Sequence, residues 1–207
     1  MQKGSYNYPP MQDDEKSNER RNFTKIRPDS LWKRFLFFNS IRSGNVKRIS
    51  NLLQNGFNPN LNFYHGITFL SIAVKYHRLE IVQVLIEYRA DTNLADQSTG
   101  FTPLIHSILE NDFSLDMMFV LIRNGADPDR KDERGMSPLH HCVNEGKLEV
   151  LRFLLERGAD PNVQDRDGVT CIHLAKSSQG MYEFVELLLK YGADPTIQDK
   201  YGKTYLM

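Results

Sequence analysis

Cysteine is scarce in this chain of 207 residues, with only Cys142 and Cys171 present. Neither has the paired spacing of a zinc site, and two thiols fall short of the framework that staples small secreted domains. A reducing compartment is the simplest setting. Net charge is absent too: 26 basic side chains meet 26 acidic ones, so nothing pulls the whole chain onto nucleic acid or an anionic membrane. Long apolar runs are also missing. The longest near the start, Phe35 to Phe38, is far too short for a membrane span, and it lies too deep and too close to charge for a signal peptide. These absences lead to the expectation of a cytosolic or nuclear protein with no metal and no cofactor.

Hydrophobic residues make up 40% of the chain, enough to build a core. Charge is unevenly spread: residues 1–62 hold 11 basic and 5 acidic side chains, and the remainder 15 and 21. The basic end is a candidate docking patch, and a solvated basic face balanced by acidic units is the simpler reading of that bias. Residues 1–28 contain Gly4, Pro9, Pro10 and the run Asp13-Asp14-Glu15-Lys16 with few bulky apolar side chains, and they read as a disordered tail.

From Leu31 onward apolar residues recur at helical spacing, and two phrases return in constant phase. One is Gly-x-Thr-Pro-Leu, seen from Gly100 and, with serine for threonine, from Gly135; weaker forms start at Gly66, Gly168 and Gly202. Successive glycines lie 34, 35, 33 and 34 residues apart. The other phrase is Gly-Ala-Asp-Pro, at Gly125, Gly158 and Gly192, with variants at Gly56 and Arg89. Thr102, Ser137 and Thr170 stand where a hydroxyl caps a helix, and Pro103 and Pro138 follow at the first helical position, where no amide donor is needed. A second amphipathic helix follows each, clearest over 148–155, and a glycine such as Gly158 closes it in the left-handed conformation.

A turn and two helices per period, carrying Ser137-Pro138-Leu139-His140, Gly146, Leu154-Leu155 and Gly158-Ala159-Asp160 in register, resembles the ankyrin repeat. The resemblance covers roughly Leu31 to Met207 and implies an all-α ankyrin-repeat solenoid of stacked helix-turn-helix units with extended turn fingers. The expected division is a tail over 1–28, a capping unit over 29–62, repeats over 63–95, 96–131, 132–164 and 165–198, and the start of a further unit over 199–207. The unit over 96–131 carries an added residue between Asp96 and Gly100 and more around Asn111 to Ser114, while Phe69 and Ser71 replace proline and histidine in the unit before it.

Catalytic readings fare poorly. Gly202-Lys203-Thr204 imitates the end of a phosphate loop, yet Ile197 stands where that loop needs glycine. His140, His141 and Cys142 are helical neighbours diverging by about 100° per residue, so they do not converge on one ion. The family resemblance places His140 and His173 in a structural slot, and Cys142 where a small buried residue belongs. Arg20, Arg21, Lys25, Arg27, Lys33, Arg34, Arg42, Lys47 and Arg48 gather around Trp32 and Phe35, a pattern read here as the wet side of a capping helix rather than a nucleic-acid site.

An interaction module is therefore the expected function: a scaffold, adaptor or inhibitor that binds a protein partner on the concave face formed by fingers and first helices. The alternative is a regulatory ankyrin segment of a larger enzyme. The residue after each finger glycine reads Ile67, Phe101, Met136, Val169 and Lys203, and the resemblance makes this position variable and open. Its apolar members form a candidate binding ladder, extended by Tyr64, His65 and Tyr76 and rimmed by Arg134 and Arg166. Asn60, Asn93 and Asn162, each eight residues after a leucine, match the pattern of hydroxylated ankyrin asparagines, although turn geometry alone also accounts for asparagine there. Self-association, a bound partner or a longer natural chain is expected at the C-terminal end, where few residues follow the last helix.

Overall fold

A computed structural model describes residues 31–177 and 181–206; the tail expected over 1–28 lies outside the described residues, as does Met207. Ten α-helices are present among them: α1 Leu31–Ser43, α2 Val46–Gln54, α3 Phe69–Lys75, α4 Leu79–Glu87, α5 Pro103–Leu109, α6 Leu115–Arg123, α7 Pro138–Asn144, α8 Leu148–Leu155, α9 Cys171–Ser177 and α10 Tyr182–Lys190. Each odd helix packs on the even helix after it. The odd helices also pack on one another in series, from α1 on α3 to α7 on α9. No strand forms among the described residues, and the architecture is the all-α stack that the repeat predicts.

The helix starts follow from the capping phrases. Thr68 and Thr102 accept from the amides of Ser71 and Ile105 at 3.0 and 3.3 Å, and Pro103 and Pro138 open α5 and α7. His140 and His173 bridge neighbouring units. Nδ1 of His140 accepts from the Ser137 amide at 3.1 Å, and Nε2 donates to the Val169 carbonyl at 3.0 Å. His173 repeats the pattern between Thr170 and the Lys203 carbonyl. This network selects the neutral Nε2–H tautomer, and burial holds His140 below the ordinary histidine range.

One core runs the length of the stack. At the N-terminal end it is aromatic: Phe37 stacks on Phe57 at 4.3 Å and meets Phe69 edge-on at 4.8 Å, so the phenylalanine that replaces the first-turn proline is fully buried there. Further along, the insertion around Asn111 to Ser114 is tied down by Lys147, whose ammonium donates to the carbonyls of Ile108 and Glu110 and lies 5.4 Å from the centre of the Phe113 ring. Arg78 reaches back similarly and donates to the Arg42 carbonyl at 2.8 Å. Both residues stand at the N-cap of a second helix, so a long cation there closes the C-terminal end of the preceding unit's first helix.

Candidate functional site

Between the helix pairs and after the last of them the chain makes five fingers, each closed by a backbone bond from its base to the residue after its glycine. Asp132 N–H donates to Met136 C=O at 2.9 Å and Asp165 N–H to Val169 C=O at 2.9 Å. In the second finger Asp96 N–H reaches Phe101 C=O at 2.9 Å across one more residue, which is the extra residue seen in the sequence. The tips are also zipped to one another. Gln97 N–H donates to Gly66 C=O, Glu133 N–H to Thr99 C=O and Arg166 N–H to Arg134 C=O, each at 3.2 Å, and Lys200 N–H donates to Asp167 C=O at 2.8 Å. Close approach of the next finger explains the glycines: a Cβ on Gly100 or Gly135 would sit 2.6 or 2.7 Å from the next finger's amide nitrogen.

This geometry corrects the expected apolar ladder. Ile67 and Met136 are buried, at 8% and 7% exposure, and Phe101 and Val169 are half-buried. The residue after the glycine belongs to the backbone pair that closes the finger, so its side chain turns toward the helices instead of outward. Phe101 lies edge-on between two imidazoles, 5.7 Å from His106 and 5.3 Å from His141. Tyr76 is half-buried, with its ring edge-on to Phe38 at 6.2 Å. Tyr64, His65, Arg134 and Arg166 are exposed, and the Tyr64 ring meets His65 at 4.2 Å. The first helices α3, α5 and α7 contribute little open surface: Phe69 to Val74, Pro103 to Ile108 and Pro138 to Val143 are all buried.

Two polar pairs went unread in the sequence. His106 Nε2 lies 2.6 Å from Asp96 Oδ2, and His141 Nε2 lies 3.1 Å from Asp132 Oδ2; all four residues are buried. The shared signal was an aspartate at the finger base nine or ten residues before a histidine in two successive units. Asp96 also accepts from the Thr68 amide, and Asp132 from the amides of Arg134 and Met136, so each carboxylate pins its finger onto a first helix. Desolvation holds His141 below the ordinary histidine range despite the adjacent Asp132. Burial pushes the thiols of Cys142 and Cys171 far up, which leaves no thiolate for nucleophilic work at either. No group of three metal-ligating side chains occurs among the described residues. No helix there is long and apolar enough to cross a membrane.

Asn60, Asn93 and Asn162 form a second zipper at the far end of each turn. Their carbonyl oxygens accept from the amides of Asp91, Asp127 and Asp194, each at 2.7 Å. Their amide nitrogens donate to the carbonyls of Arg89, Gly125 and Gly192 at 3.1, 2.7 and 2.9 Å. Both halves of each amide are therefore used in joining one unit to the next.

The family model for ankyrin repeats matches residues 37–132 and 105–199. Over 98 residues the chain is 30% identical to a putative ankyrin repeat protein of Acanthamoeba polyphaga mimivirus, covering 47% of this chain and 12% of the relative. It is 36% identical over 85 residues to a mouse (Mus musculus) B-cell lymphoma 3 protein homolog, covering 41% and 18%. It is 31% identical over 101 residues to glycerophosphocholine phosphodiesterase gde1 of Schizosaccharomyces pombe, covering 48% and 9%. The chain thus spans less than a fifth of each of these relatives. With the repeat phase, the helix pairs, the zipped fingers and the family match in agreement, the chain belongs to the ankyrin-repeat family, whose repeats mediate protein–protein interaction and are ordinarily non-catalytic.

Proposed function

We propose that this chain is a protein-interaction module, a scaffold, adaptor or inhibitor, that engages its partner along the row of finger tips. The observation that carries this reading is the backbone zipper. Five fingers bonded tip to tip hold Tyr64, His65, Arg134 and Arg166 outward on a rigid line, so little conformational entropy is lost when a partner docks. Burial of α3, α5 and α7 favours the tips over the helices within the expected concave face, with Phe101 at the site's edge. A cytosolic or nuclear setting fits the two buried, unpaired thiols.

The test is partner capture with the intact chain, by pull-down and mass spectrometry, against a Tyr64→Ala/Arg134→Ala/Arg166→Ala variant. Capture should fall while unfolding stays within about 0.5 kcal/mol, because these side chains are exposed. Unchanged capture would sink the finger reading. Met136→Ala serves as the contrast: a buried methionine truncated there should cost about 2–5 kcal/mol and report on the scaffold. A second reading, a regulatory segment of a larger enzyme, is favoured by the match to a phosphodiesterase in which the matched stretch is 9% of the chain. Hydroxylation of Asn60, Asn93 or Asn162 is a further proposal; an added oxygen found by peptide mass spectrometry at any of the three supports it.

A further inference from the structure

Residues 31–79 contain seven lysine and arginine side chains and no aspartate or glutamate, whereas residues 80–207 contain 13 basic and 21 acidic ones. Three of these seven, Arg42, Lys47 and Arg48, are exposed on the terminal helix pair, α1 and α2. In α4, α8 and α10 the register of Ile81, Val150 and Phe184 is buried, at 1%, 0% and 8% exposure. The same register in α2 is Arg48, exposed, and Asn51 stands exposed where α8 has Phe153 at 8%. A terminal unit needs polar residues there to stay soluble, and that need alone is met by any mixture of charges. It does not account for exclusively cationic residues, nor for the apolar side chains left beside them. Leu31 is 77% exposed, Trp32 46% and Phe35 36%.

Helical geometry gives this face two ends. Leu31, Phe35 and Arg42 fall on one stripe of α1, at i, i+4 and i+11, and about 16 Å separates the first from the last at 1.5 Å per residue. α2 packs against α1 beyond the turn at Gly44, which places Arg42, in the last turn of α1, and Lys47 and Arg48, in the first turn of α2, at the same end of the pair, with Leu31 and Phe35 in the first turns of α1. All three cations are exposed.

We infer that the N-terminal face is a second docking surface, and that it takes an acidic amphipathic segment of a partner protein, with carboxylates against Arg42, Lys47 and Arg48 and apolar side chains against Leu31 and Phe35. Protein is favoured over nucleic acid because the exposed cations are confined to one end. A phosphate backbone is tracked by cations along its whole path. None of the residues that its test changes belongs to the finger row, so the test leaves the finger reading untouched.

The probe is a labelled 16-residue peptide with four glutamates at one end and leucine and phenylalanine at the other, titrated into the full chain by anisotropy. Trp32 is the only tryptophan, so its emission reports on this face directly. Binding is expected to shift that emission, and to weaken roughly tenfold both in 0.5 M salt and in an Arg42→Glu/Lys47→Glu/Arg48→Glu variant. Phe35→Ala should weaken it several-fold at either salt concentration. An unchanged thermal melt of each variant separates lost binding from lost folding. Three outcomes overturn the proposal: no binding at about 100 μM, equal binding by the charge-reversed chain, or tighter binding and displacement by a twelve-residue oligothymidylate.

Discussion

Arg89 holds φ at +64°, where the equivalent closing residues Gly56, Gly125, Gly158 and Gly192 hold +81° to +89°. A side chain in the left-handed region costs about 1 kcal/mol, so Arg89→Gly is expected to stabilise the fold in urea unfolding by less than that, because glycine's looser unfolded state offsets part of the gain. Asp129 poses a different problem. It occupies the position of Asn60, Asn93 and Asn162 and accepts from the Asp160 amide at 2.9 Å, but an ionised carboxylate has no proton for the Gly158 carbonyl that the register places beside it. Desolvation raises its pKa, with Asp127 and Asp160 adding to the effect. A carboxyl that keeps its proton to higher pH in the folded state loses stability as pH climbs from the unfolded value, about 3.9, through the folded one. Asp129→Asn should therefore gain about 1 kcal/mol at pH 7, and the gain should shrink toward pH 3, where the acid is protonated in both states. A constant gain across that range would count against this account.

Elements differ in how well their local rules agree. Among the described residues, all three non-glycine residues at positive φ, His65, His77 and Arg89, lie between residues 63 and 95. Phe69 offsets the missing proline there by filling the aromatic cluster with Phe37 and Phe57, but it does not relieve the turns. Amide exchange is expected to be faster at the ends of α3 and α4 than at those of α7 and α8, where Gly146 and Gly158 take the equivalent φ without a side chain. Equal protection of the two units would show that packing, not backbone strain, sets local stability. The insertion before α6 follows a different logic, because its extra residues are held by Lys147 of the next unit as well as by Ser114 capping α6.

At the scale of the molecule the two ends of the stack are unlike. The N-terminal face sets exposed cations beside a few exposed apolar side chains, whereas the C-terminal face exposes large apolar side chains at registers that are buried between units. Leu155 and Leu189 share a register, yet Leu155 is 4% exposed beneath the next unit and Leu189 is 44% exposed. Tyr182, seven residues earlier on the same stripe of α10, is 83% exposed, and Leu206 69%. Concentration-dependent association of the 207-residue chain through this face is expected in sedimentation, and Leu189→Lys should reduce it without lowering the melting temperature. A chain that is monomeric at every concentration would remove the expectation.

Period and helix starts and stops were legible in the sequence, because they depend on local chemistry repeated in phase, and the ankyrin resemblance gave His140 and His173 their structural slot. Thr102 before Pro103, or Gly158 after Leu155, specifies its own backbone whatever surrounds it. Exposure was not legible. Met136 and Arg134 are two positions apart on one finger, and only the closing bond from Asp132 to Met136 turns the first inward and leaves the second out. The His106–Asp96 and His141–Asp132 pairs escaped for the same reason, as did Lys147 and its carbonyls in the preceding unit. Each joins groups whose approach is set by the folding of a finger or the stacking of units, and such distances are fixed by tertiary packing rather than by any local run of residues.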